Sequence, residues 1–347
     1  MLKKIFNFIL SSFFLVLYSL IVLWCGGVIY FNLGWGLIAA LSFVILMLVA
    51  GFFRKNILGF YWWTSAIVLF FIGYFSSIIA NDEHTWQTPW SQAPIIERNG
   101  AKIIIKNIRD FSYKTPENYQ VSYVNEEYDP NELVSLDFAV SHWNGIQAIA
   151  HTMLSFGFKD GRYLALSMET RLPQGINQGG LPGLFKQYNL ICLLAKEEDI
   201  FALRSNHRKE KLRLFRLNLT PQQIRTIFMN FVQKINVLQR TPEFYNTLTA
   251  NCTTEILPPL RECLNMGVDK WSPVLDGMFN QKAFDQGLFL HRDKETLNDL
   301  RKRALIPEGI KERGKVSFSK LIREKVGITE KKSEQGSSSD LLVKALP

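Results

Sequence analysis

The sequence has little of what builds a disulfide scaffold or a metal site. Four cysteines and five histidines occur among 347 residues, and their spacings match no zinc-binding pattern. The glycine-rich stretch 175–183 has neither the lysine nor the spacing of a phosphate-binding loop. The sequence therefore predicts neither a metal nor any other cofactor.

Acidic residues are outnumbered, with 31 Asp and Glu against 40 Lys and Arg, so the formal net charge is +9. Much of this excess lies after residue 291. No basic motif interleaved with aromatic residues, of the kind that contacts nucleic-acid bases, accompanies it. We therefore expect no nucleic-acid partner. In a membrane protein, a basic balance is typical of contact with anionic lipid headgroups.

Charged residues are also missing from three apolar stretches near the N-terminus, 5–31, 33–53 and 58–80. Each is long enough to cross a bilayer as a helix. No small-residue cleavage site promptly follows the first, so it is predicted to be retained. The sequence thus predicts three transmembrane helices within residues 1–80. Their lack of charge favours a plain anchor over an ion path. The alternative is a bundle that helps to present a lipid.

Basic residues predict the orientation of these helices. Lys3 and Lys4 precede the first, and Arg54 and Lys55 lie between the second and third, whereas the loop around Asn32 has no Lys or Arg. The positive-inside rule then places the N-terminus in the cytoplasm. Three crossings of a bacterial inner membrane place the rest of the chain in the periplasm.

The remaining chain divides into three parts by composition. Segment 81–101 is polar, contains two prolines and is predicted to be a linker. Residues 102–290 predict an α+β domain in which strands come first and helices last. Residues 291–347 are predicted to be a charged, partly disordered tail.

Cys252 is the candidate nucleophile. It directly follows Asn251, a good helix N-cap, which predicts that Cys252 lies in the first turn of a helix. A helix N-terminus stabilises a thiolate, and its free N–H groups can hold an oxyanion. Spacing alone leaves open a disulfide between Cys252 and Cys263, which an oxidising compartment would permit.

His151 is the candidate base because it lies in a predicted strand among apolar neighbours. A base needs a third group to orient it. Glu169, at the end of the adjacent predicted strand and on the same face as Ser167, is our choice. Two alternatives stay open: His151 is a satisfied core residue, and Glu169 is a surface carboxylate paired with Arg171.

Three segments, 148–158, 161–171 and 244–254, together resemble the Lnb N-terminal periplasmic domain family. They contain a His-Thr pair at 151 and an Asn-Cys-Thr-Thr run at 251. The resemblance covers about residues 133–260. It implies a circularly permuted papain-like fold of the NlpC type, in which the histidine strand precedes the cysteine helix. It also implies that Cys252 is the nucleophile, His151 the base and Glu169 the orienting group.

The family takes its name from a lipoprotein N-acyltransferase. The resemblance therefore implies a cysteine-dependent acyltransferase or acyl hydrolase at the outer face of the inner membrane. Its partners would be a membrane lipid as acyl donor and a lipoprotein amine, or water, as acceptor. One alternative is a papain-like peptidase or amidase that cleaves cell-wall peptides. Another is a non-enzymatic interaction domain with Cys252 bonded to Cys263. Nothing in the sequence indicates an oligomeric state.

Overall fold

The structure is a computed structural model that describes residues 2–52, 57–142, 150–264, 281–311 and 316–328. Its N-terminal part consists of three helices, α1 (Leu2–Asn32), α2 (Gly36–Phe52) and α3 (Ile57–Ser77). Among the described helices, α1 alone contains a segment, Ile9–Asn32, long and apolar enough to cross a membrane. The apolar stretches in α2 and α3 are shorter. Arg54 and Lys55, on which the predicted orientation partly depends, lie outside the described residues.

The three N-terminal helices pack against each other. A Cβ atom at Gly26 of α1 would lie 2.5 Å from a methyl group of Val44, so glycine permits the close approach of α2. The Tyr18 hydroxyl of α1 donates to the carbonyl of Met47 in α2 at 2.7 Å. The Tyr74 hydroxyl of α3 donates to the carbonyl at the end of α1 at 3.1 Å. The helices therefore form one bundle.

The rest of the described chain is an α+β domain built on a mixed sheet. Its strands are β1 (Ile95–Asn99), β2 (Lys102–Arg109), β3 (Ser112–Tyr113), β4 (Tyr119–Gln120), β5 (Tyr123–Tyr128), β6 (Leu133–His142), β7 (Ala150–Phe158), β8 (Tyr163–Arg171), β9 (Asn189–Ala195) and β10 (Lys211–Arg216). The strand order is β1-β2-β9-β8-β7-β6-β10, with β5 also paired to β2 and a separate β3-β4 hairpin. Neighbours run antiparallel except β2 and β9.

Helices cover both faces of this sheet. They are α4 (Glu197–Ala202), which continues into a π-helical turn (Leu203–His207), α5 (Pro221–Arg240), α6 (Cys252–Leu264), α7 (Gln281–Asp285), α8 (Leu297–Arg303) and α9 (Phe318–Lys325). Side chains alternate along a strand. Leu154 and Phe156 of β7 therefore join the core under α5 and α6, whereas Met153 joins the core under α4 and α9.

Part of the predicted linker 81–101 is instead strand β1, so the prediction is wrong there. β1 forms an antiparallel hairpin with β2, and Gly100 in the turn has a φ of +63°, which favours glycine. Ile96 of β1 packs against the core. The strand offers only two apolar residues before Glu97, too few to show an alternating pattern.

The predicted tail is also folded over much of its described length. Leu300 of α8 lies in one core, and Phe318 and Ile322 of α9 lie in the other. Beside them, the Arg323 guanidinium is buried and binds the carboxylates of Asp137 at 2.7 Å and Glu197 at 2.8 Å. These short helices are rich in charge, which obscured their apolar faces in the sequence. The low-complexity stretch 331–339 lies outside the described residues.

Replacing Arg323 with alanine should destabilise the domain by roughly 3–5 kcal/mol, because Glu197 and Asp137 would lose a buried cation. The measurement is the midpoint of chemical unfolding of the purified protein in detergent, followed by tryptophan fluorescence. Lys320→Ala, on an exposed position of the same helix, is the control and should leave the midpoint unchanged. Equal midpoints for both variants would contradict the placement of α9.

Candidate active site

Cys252 begins helix α6, as predicted, because Asn251 caps that helix. The Oδ1 atom of Asn251 accepts hydrogen bonds from the backbone N–H groups of Thr253 at 2.9 Å and Thr254 at 3.0 Å. The Asn251 amide in turn donates to the carbonyl of Thr247 at 2.9 Å. This cap does not use the N–H of Cys252 itself. That N–H therefore lies at the positive end of the helix, beside the thiol.

His151 meets Cys252 where β7 and β8 separate. The ladder between these strands ends at the pair Met153–Ser167, two residues before His151 and Glu169 would face each other. The start of α6 lies at this opening. The Cys252 thiol accepts a hydrogen bond from the backbone N–H of Thr152 and is hydrogen-bonded to the His151 side chain. The predicted nucleophile and base are thus in contact.

The opposite edge of the imidazole faces two polar side chains of β8. The Nε2 atom of His151 lies 2.7 Å from the Ser167 hydroxyl oxygen and 3.1 Å from Oε1 of Glu169. Ser167 donates to the same carboxylate oxygen at 2.7 Å. Since Nε2 faces these acceptors, Nδ1 is the ring nitrogen available to Cys252. Glu169 therefore fixes the orientation of the ring.

Glu169 is held by a residue that the sequence did not reveal. Nη2 of Arg204, a buried residue of the π-helical turn, lies 3.1 Å from Oε1 of Glu169. The alternative pairing of Glu169 with Arg171 is wrong, because Arg171 binds Asp82 at 2.9 Å and lies over the Trp86 ring. The available signal in the sequence was an arginine directly after the apolar run 200–203.

Electrostatics favour an ion pair between Cys252 and His151. Burial alone would lower the pKa of His151, but the charges of Glu169 and Cys252 outweigh it and raise this pKa to about 9. Burial alone would raise the pKa of Cys252, but the charge and hydrogen bond of His151 and the N–H of Thr152 lower it to about 7.

The carboxylate behind the imidazole stays ionised. Burial opposes its charge, yet His151 and Arg204 hold the pKa of Glu169 well below the usual value. The lowered pKa of Cys252 and the raised pKa of His151 therefore favour a thiolate and an imidazolium together. A thiolate beside a protonated imidazole is an activated nucleophile with its general acid in place.

The proposed disulfide between Cys252 and Cys263 is wrong, because both thiols are free. Both residues lie on α6, and eleven residues of helix (252 to 263) separate them by about 16 Å, whereas a disulfide needs Cα atoms within about 7 Å. The interaction-domain alternative therefore has no support from this bond.

Tyr245 also lies at the site and was not selected from the sequence. Burial, followed by the charges of Cys252 and Glu169, raises the pKa of its phenol. The phenol therefore stays protonated beside the ion pair. The backbone N–H of Tyr245 donates to the carbonyl of Tyr188 at 3.0 Å, which ties the segment before Cys252 to the start of β9.

The described residues outside this site offer no metal centre and one cavity of note. No group of three or more His, Cys, Asp or Glu side chains in that part of the chain could hold a metal ion. A cavity of about 950 Å³ lies beside α4 and α9, between Tyr113, His207 and Phe318. Its lining does not include Cys252 or His151.

Residues 119–276 match the family model described as the Lnb N-terminal periplasmic domain. This segment contains Cys252, His151 and Glu169, and the match confirms the resemblance seen in the sequence. Together with the long apolar helix α1, the match fits a membrane-anchored protein with a periplasmic domain. No curated protein and no solved structure matches the chain.

The reactivity of Cys252 should depend on pH as its ion pair requires. Alkylation of Cys252 should accelerate as pH rises through about 7. In His151→Ala the midpoint should move above the value of about 8.5 for an ordinary thiol, because burial then acts without the cation. Labelling with iodoacetamide, read at Cys252 by peptide mass, measures both profiles. If wild type and His151→Ala gave the same pH profile of Cys252 labelling, the ion pair would be contradicted.

Replacing Glu169 with glutamine removes the charge that keeps His151 protonated. The midpoint of Cys252 labelling should therefore rise, but by less than in His151→Ala, since the imidazole itself remains. Glu132→Gln is a matched control because Glu132 is exposed and pairs with Lys159, away from the site. If Glu169→Gln labels as the control does, Glu169 does not set the charge of His151.

Proposed function

We propose that this protein is a periplasmic thiol acyltransferase or acyl hydrolase anchored in the bacterial inner membrane. In this proposal all three N-terminal helices cross the membrane, the N-terminus is cytoplasmic, and the α+β domain has a permuted papain-like fold. The observation that carries the proposal is the contact between Cys252, at the start of α6, and His151, which Glu169 orients.

The reaction begins with the ion pair already formed. The Cys252 thiolate attacks the acyl carbonyl of a phospholipid ester, and the N–H of Cys252 at the helix start holds the developing oxyanion. His151 gives its proton to the departing alcohol oxygen of the lysophospholipid. The product of this half-reaction is an acyl thioester at Cys252.

The second half-reaction releases the acyl chain. An amine, such as the N-terminus of a lipoprotein, attacks the thioester while neutral His151 accepts its proton. The thiolate leaves, and the amide product departs. With water in place of the amine, the product is a free fatty acid. Anchoring the domain beside the bilayer raises the effective concentration of the lipid.

The acyl-enzyme is the direct test of this function. Full-length protein in nanodiscs that contain a phospholipid with a labelled acyl chain should acquire the label at Cys252, in a form that hydroxylamine releases. Cys252→Ala should acquire none, and His151→Ala should acquire it roughly 10²–10⁴ times more slowly. Cys263→Ala, with a thiol removed from the same helix, is the control and should behave as wild type. If Cys252→Ala released the labelled acyl chain from the phospholipid as fast as wild type, the mechanism would be excluded.

A further inference from the structure

The α+β domain is docked on the outer end of α1 through Phe185. The Phe185 ring stacks on Phe31 with centroids 5.0 Å apart. A Cβ atom at Gly27 would lie 2.1 Å from this ring, so the glycine provides the notch that receives it. The Phe185 carbonyl accepts a hydrogen bond from the Asn32 amide at 2.9 Å.

The next residue, Lys186, binds the end of α3. Its ammonium group donates to the carbonyls of Phe75 at 2.6 Å and Ile78 at 2.9 Å, where a cation complements the helix dipole. Lys186 has a φ of +57°, a backbone conformation that is strained for a non-glycine residue. The contacts with the bundle stabilise this conformation. Phe185 and Lys186 thus fix the orientation of the domain relative to the membrane helices.

The same loop is bonded to the segment that carries the nucleophile. The Thr247 hydroxyl donates to the carbonyl of Gly180 at 2.8 Å. A Cβ atom at Gly183 would lie 2.3 Å from that hydroxyl, so the two loops are in close contact. Thr247 in turn binds Asn251, the cap of the Cys252 helix. A continuous set of contacts therefore joins the bundle to the active site.

These two loops expose apolar side chains beside the end of the bundle. Leu181 is 67% exposed and Leu248 is 59% exposed, each next to a residue of the Thr247–Gly180 hydrogen bond. Ile79, two residues after the end of α3, is 79% exposed. Large apolar side chains exposed on loops that are bonded to each other indicate a surface that is covered by a partner.

We propose that Leu181 and Leu248 form an apolar rim that is seated in the outer interface of the bilayer. The partner is the lipid surface, because Phe185 and Lys186 hold the loop of Leu181 at the ends of apolar helices α1 and α3, and the Thr247–Gly180 hydrogen bond joins the loop of Leu248 to it. Burial of these leucines among lipid headgroups and upper acyl chains stabilises the seated position. The site of Cys252, four residues after Leu248, then opens at the membrane surface. The seating rests on the proposal that the helices cross the membrane but not on the proposed chemistry, whereas its consequence for the substrate rests on that chemistry.

Fluorescence quenching tests the seating without any enzymatic assay. Leu181→Cys and Leu248→Cys, each in a Cys252→Ser background, are labelled with bimane in nanodiscs that contain a lipid with a nitroxide near its headgroup. Val134→Cys is the matched control, since Val134 is 44% exposed at the end of β6 remote from the site. Both rim positions should be strongly quenched and the control should not. Rim quenching no greater than at position 134 would overturn the proposal.

A second experiment measures how the rim affects the acylation of Cys252. Leu181→Asp and Leu248→Asp should lower the rate of Cys252 acylation from bilayer phospholipid by about tenfold, while alkylation of Cys252 by iodoacetamide stays at the wild-type rate. Val134→Asp should change neither rate. Rim quenching in a protein whose wild type takes no acyl group would retain the seating and reject the proposed function. Acylation by the rim variants at the wild-type rate would overturn the role of the rim in substrate access.

Discussion

The ionised carboxylate of Glu169 is the constraint on which the site depends. Without its charge, burial would make His151 a neutral base and Cys252 an ordinary thiol. The charge is maintained by Arg204 and by the Ser167 hydroxyl. Arg204 also repels a protonated imidazole, so its position beside Glu169 is a compromise between two opposite effects on the pair.

The sheet must open for these groups to meet. If the ladder between β7 and β8 were complete, the N–H of Thr152 would donate to β8. It would then not be available to the Cys252 thiol. Because the ladder stops at Ser167, Thr152 can donate to the thiol instead. The candidate active site therefore lies at the end of two strands whose other ends lie in the packed core.

Local chemistry explains what could be predicted from the sequence. Asn251 predicted the helix start at Cys252, and the apolar neighbours of His151 predicted its strand; both elements are confirmed. Arg204 and Arg323 could not be found in this way. Each binds a carboxylate far away in the sequence, 35 and 186 residues from Glu169 and Asp137 respectively. In a sequence, an arginine is interpreted as a surface residue unless the carboxylate that it binds is known.

The late position of Arg323 has a consequence for biogenesis. Asp137 and Glu197 belong to the first half and middle of the domain, yet their shared cation comes from α9, the last described helix. Contacts of such high sequence separation form slowly. If the domain is exported as proposed, it reaches its stable state only after α9 has crossed the membrane. Translocation of α9, rather than of the segment that contains Cys252, then completes the buried charge cluster.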